Sequence, residues 1–170
     1  MHSNRFNPTV HLMQRSTSLA LFGSLLILPF AYGQKYHSGS VVKSFQANDQ
    51  HGEAYQLDSK TRYLLISFDM GTGKKANVKL DQKGKEFFKE KQIAFVANIH
   101  GMPGIGRLFA FKKMKTYSHR IIYGDDAHLM DPFPEKDDHV TVLKLDEQQK
   151  VTQISYWDPA KEEVDQHLKE

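Results

Sequence analysis

The chain has 170 residues and no cysteine, with 39% hydrophobic and 25% charged residues. That length suits one domain, and the balance is that of a globular chain rather than a disordered one. Without cysteine there is no disulfide, no thiol nucleophile, no thiolate-held zinc and no cysteine-held iron–sulfur cluster, and a net charge of only +3 makes no case for a nucleic-acid binder.

Residues 1–33 read as a secretory signal peptide. Arg5 and Arg15 make a basic, acid-free leader, Ser18 to Phe30 an apolar core, and Ala31 and Gly33 the small residues that a signal peptidase reads. The apolar core is 13 residues long. A bilayer span needs about 20, so cleavage before Gln34 is expected rather than retention as an anchor. Without a cysteine at that site a lipoprotein is excluded, and the leader suits Gram-negative export. Residues 34–170 hold 21 basic and 20 acidic side chains, so most of the basicity belongs to the leader. A nearly neutral mature chain is not drawn over long range to DNA or anionic lipid. The expectation is a periplasmic protein with no membrane span after cleavage, residues 34–40 forming a tail and 41–170 the domain.

Val41 to Ala47 and Ala54 to Leu57 read as two strands around an Asn48–Gly52 turn. Arg62 to Phe68 is a dense apolar run, the pattern of a strand covered on both faces. A helix follows from about Lys75 to Lys91, with Ala76, Leu80, Gly84, Phe87 and Phe88 on one face. Gly84 in that face predicts a close approach to a sheet. Gln92 to Ile99 is a second buried strand. After the Gly/Pro-rich loop His100–Gly106, a short helix is expected to turn Ile105, Leu108 and Phe109 inward. Arg120 to Tyr123 is a brief strand, and residues 124–139 are irregular and acidic. Val140 to Leu145 and Val151 to Tyr156 form a hairpin. Asp158-Pro159 predicts a last helix with Ala160, Val164 and Leu168 inward and Trp157 stapled against it. Strands alternating with helices imply a parallel core with an antiparallel edge.

This order resembles the thioredoxin-like superfamily, in its peroxiredoxin and TlpA-type branches. Phe45 to Gly52 is similar to their opening hairpin, Tyr63 to Phe68 to the strand entering their redox loop, and Val140 to Asp146 to their closing hairpin. Met102-Pro103-Gly104-Ile105-Gly106 resembles a string of the cysteine-less, YtfJ-like periplasmic proteins. The resemblance implies an α/β, thioredoxin-like fold: a central mixed sheet, flanking helices and an N-terminal β-hairpin. It does not imply the activity. The loop that holds the reactive cysteine in redox members is here Asp69 to Lys74, and the position of their cis-proline is Val140 after His139. A trans bond is expected there, since a cis bond before a non-proline costs about 2.5–4 kcal/mol.

Ligands of α/β sheets sit beyond the carboxyl ends of the parallel strands. That rule gathers Asp69, Lys74, His100, Arg107 and His139 as candidate binding residues; solvated loops are the other reading of them. Gly71-Thr72-Gly73-Lys74-Lys75 fails the phosphate-loop pattern, and Gly101, Gly104 and Gly106 fail the dinucleotide one. No cofactor is expected. In the acidic stretch, Asp125, Asp126, His128 and Asp131 could hold a divalent metal or could form a solvated loop. Three functions remain open. One is an exported, non-redox module binding an unidentified periplasmic protein or small molecule. The second is a thiol-independent enzyme at the strand ends. The third is metal handling by residues 125–139.

Overall fold

A computed structural model describes residues 33–169; the signal-peptide reading lies outside them. Five strands form the central sheet in the order β5-β4-β3-β6-β7, where β3 is Tyr63–Ser67, β4 Ile93–Asn98, β5 Ile122–Gly124, β6 Val140–Leu145 and β7 Val151–Trp157. The first three run parallel, and β6 and β7 close the sheet antiparallel. A separate two-stranded hairpin, β1 (Gln46–Asn48) and β2 (Ala54–Gln56), precedes them. The expected α/β architecture is therefore present, a mixed sheet with its N-terminal hairpin.

Every residue of β3 is buried, because helices cover one face, and the N-terminal segment together with the segment carrying Met130 and Phe133 covers the other. Leu65, Phe95, Leu80, Trp157 and Val164 pack on the helical face. Leu64, Ile66, Val96, Met130 and Phe133 pack on the opposite one. The hairpin turn is pinned to the sheet edge by Gln50. Its amide donates to the His119 carbonyl at 2.7 Å and its side-chain oxygen accepts from the Ile121 N–H at 2.8 Å. A buried side chain that meets both backbone groups this way leaves neither one unsatisfied.

Helix α1 spans Met70–Glu90, starting five residues earlier than expected. The Asp69 carboxylate accepts the Thr72 N–H at 2.8 Å and caps it, a role that the loop reading of Asp69–Lys74 left out. Gly84 does not bring the helix close to the sheet. Its backbone sits at φ 76° and ψ 171°, a break inside the helix, with open space where a Cβ would point. The close approach occurs at Gly73, where a Cβ would lie 3.0 Å from the Ser67 Oγ.

Helix α2 (Gly104–Met114) also departs from expectation. Ile105, Leu108 and Phe109 point outward, 78%, 70% and 68% exposed. The inward stripe is Arg107, Phe111 and Met114, at spacings of four and three. Phe111 stacks on Tyr123 at 4.5 Å, and Arg107 donates to the Ile99 carbonyl at 2.9 Å. A short helix, α3 (Ala127–Met130), interrupts the acidic stretch.

The last expected helix is a turn followed by a 3-10 helix, Val164–His167. The Glu162 carbonyl is already taken by the Trp157 Nε1 at 3.0 Å and the Lys79 Nζ at 2.8 Å. It is therefore not left for the N–H four residues on, and an α-helix cannot start there. Trp157, Val164 and Leu168 are nevertheless buried together, as their spacing predicts.

The Gly84 backbone tests the break. In an ordinary helix Gly→Ala stabilises by about 0.5–1 kcal/mol. At this glycine-only conformation Gly84→Ala is expected to destabilise by about 1–3 kcal/mol. Urea unfolding of the two proteins checks the sign.

Candidate functional site

Helices α1 and α2 cross over the same face of the sheet between successive parallel strands, so they run side by side. The space between them is a groove of about 280 Å³. Its floor is Ser67 at the end of β3 with Ala97 and Asn98 at the end of β4. Its α1 wall carries Met70, Gly73, Lys74 and Asn77, and its α2 wall Gly106, Phe109, Ala110 and Lys113. Met114 and Tyr117 line it further along. Beyond its rim Ile105 and Leu108 present bare apolar surface.

The wall residues are set by hydrogen bonds at the base of α1. Asn77, 2% exposed, donates from Nδ2 to the Gly73 carbonyl at 2.8 Å. That fixes its Oδ1 toward the His119 Nε2, 2.9 Å away. The network therefore assigns the His119 proton to Nε2 and leaves Nδ1 bare and buried without a partner. His119 is stacked on Phe88 at 4.7 Å and is 1% exposed. Burial pushes its pKa down to about 4, against the opposing pull of the Asp81 carboxylate. Asp81 itself accepts the Ser118 N–H at 2.6 Å, which holds its own carboxyl below the usual range.

Tyr117 is another unsatisfied group. It is 7% exposed, its hydroxyl is buried with no partner, and its side chain lines the groove. Burial and then Asp81 raise its pKa, so it stays a neutral donor. The Lys113 Nζ lies over its ring, 4.9 Å from the centroid.

Of the five residues that the strand-end rule gathers, Asp69 and Lys74 line this groove. Asp69 serves as the α1 cap, and partial burial of its carboxylate is outweighed by the Thr72 N–H, so its pKa falls. Arg107 is turned away into an ion pair with Asp125 and the bond to Ile99. His100 is exposed in its loop, its N–H on the Asn98 Oδ1 at 3.0 Å. His139 bonds the Asp137 carbonyl through Nδ1 at 2.6 Å. All described peptide bonds are trans, the one before Val140 included. Neither His100 nor His139 is among the residues lining the groove.

In the acidic stretch Asp126 accepts the His128 N–H and caps α3, while Asp125 holds Arg107. Among the described residues no three His, Asp or Glu side chains gather as a metal-holding group. No described helix is long and apolar enough to cross a membrane.

Solved structures share this architecture. The chain is 17% identical to the thioredoxin domain of a thiol-disulfide oxidoreductase from Bacteroides vulgatus, with a TM-score of 0.52 over 79% of this chain and 100% of that one. It is 18% identical to DsbE, a thiol:disulfide interchange protein from Chlorobium tepidum, with a TM-score of 0.56 over 78% and 94%. A peroxiredoxin-like protein from Aquifex aeolicus gives 11% identity and a TM-score of 0.54 over 80% and 86%. No protein-family model and no curated protein matches. The fold is thioredoxin-like, and this chain carries it without a cysteine.

His119 makes stability depend on pH. Its imidazole takes up a proton near 6.5 in the unfolded chain but near 4 in the folded one. The unfolded state thus binds more protons between those values, and stability falls as pH drops through that window. The slope is about 1.4 kcal/mol per pH unit. Urea midpoints at pH 7, 6 and 5 are expected to fall steeply for the native protein and to stay nearly level for His119→Leu.

Proposed function

We propose that this chain is an exported, thiol-independent binding protein whose site is the α1–α2 groove. The observation that carries the reading is the groove itself. It is a mostly apolar cleft at the carboxyl ends of the parallel strands, near the lower end of the about 300–1,000 Å³ range of ligand sites. Its rim adds the exposed Ile105, Leu108 and Phe109 within five residues of α2 and Met70 at the start of α1, more than scattered surface hydrophobics. The absence of a thiol and the loss of the cis-proline position remove the redox function that the neighbouring structures carry in their names.

Export follows from the leader, and its measure is the N-terminal residue of the protein released by osmotic shock, expected to be Gln34. Binding is tested with Nile red, a neutral apolar fluorophore. The purified protein is expected to enhance its emission saturably. Ala110→Trp fills the groove from the α2 wall and should weaken that binding at least about tenfold, with the thermal midpoint little changed. Equal binding by the variant and the native protein would remove the groove as the site.

A further inference from the structure

The groove is not uniformly apolar. One end, at the start of both helices, is made by Met70, Met102 and Gly106, with Phe109 one turn further along α2. The other end holds Tyr117, whose hydroxyl is buried without a partner, and Lys113 close above its ring. A buried hydroxyl that is left unbonded costs roughly 1–3 kcal/mol, so a ligand that accepts its proton recovers that cost. Two other polar groups of the groove are already engaged. Asn77 bonds Gly73 and His119, and Asp69 caps α1.

Charge gives the sign of the acceptor. Helix α1 carries six lysines against three carboxylates, and α2 carries Arg107, Lys112 and Lys113 against none. Two of these cations line the groove, Lys113 beside Tyr117 and Lys74 at the start of α1 with the capping Asp69, the one carboxylate there. A ligand with a negative head and an apolar body matches the cation and the unbonded hydroxyl at the Tyr117 end and the apolar walls beyond them.

We propose that the α1–α2 groove takes an unbranched aliphatic monocarboxylate. The Tyr117 hydroxyl donates to its carboxylate, the Lys113 ammonium neutralises it, and its chain lies along Met114, Ala110, Phe109 and Met102. This rests on the groove being the binding site, and it assigns the chemical class of the occupant. A charge-assisted bond in a half-enclosed site gives the head group its selectivity, and the apolar walls give length dependence.

The test measures decanoate, decanol and decyltrimethylammonium by calorimetry on the purified protein. Decanoate is expected to bind about tenfold or more tightly than decanol, and the ammonium weakest. Tyr117→Phe and Lys113→Gln should each weaken decanoate about fivefold or more, and decanol by clearly less, since its oxygen is a neutral acceptor. Thermal melts confirm that both variants fold, and Tyr117→Phe is expected to be at least as stable as the native chain, since it removes an unbonded hydroxyl. Decanol binding as tightly as decanoate would overturn the head-group assignment and leave the groove standing. Binding of none of the three would overturn the proposal, and the Nile red comparison with Ala110→Trp then separates that failure from failure of the groove itself.

Discussion

The Asn77 side chain ties helix α1 to the segment that follows α2. It sits on the buried face of α1, donates back to the Gly73 carbonyl one turn earlier, and accepts from His119 in the segment that follows α2. A buried amide needs both its donor and its acceptor satisfied, so its presence constrains two separate parts of the chain at once. At the same turn, Gly73 lets the helix lie against the Ser67 end of β3 with no side chain between. Helix α1 is thereby held close to the sheet at its start. The 117–121 segment is held beside it by His119, and in turn carries the backbone groups that Gln50 uses to pin the hairpin.

Much of the fold is legible in the sequence because its strands are strongly patterned. Tyr63–Ser67 and Ile93–Asn98 are apolar runs that only a doubly covered sheet can bury, and Val140–Leu145 with Val151–Trp157 is a hairpin in both pattern and structure. The helices are less legible, for physical reasons. The Asp69 cap moves the start of α1 into what composition marks as a loop. At the other end of the chain, tertiary bonds to the Glu162 carbonyl override a Pro at a helix start. Gly84 carries the signal of a special backbone, but packing and breaking are both uses of glycine, and periodicity does not distinguish them.

The site is less legible still. The strand-end rule places the region, and two of its five residues, Asp69 and Lys74, are on the groove. The rule fails to find Tyr117, Asn77 and His119 because these lie well away from the strand ends, in a helix interior and in a segment that reads as a plain loop. One signal was available. An asparagine beside Ala76 and Leu80 on a buried helix face needs a partner, and a histidine can supply it. The outward face of α2 has no such signal, since Ile105, Leu108 and Phe109 have the spacing of a core stripe.

The near balance of charge in residues 34–170 conceals a separation. The lysine-rich helices pack on one face of the sheet, and the acidic segment that delivers Met130 and Phe133 packs on the other. The helical face also carries Glu163 and Asp165, which pair with Lys79 and Lys83 of α1, so part of the lysine surplus is neutralised where it stands. A measured isoelectric point reports the sum of these charges and not their pairing.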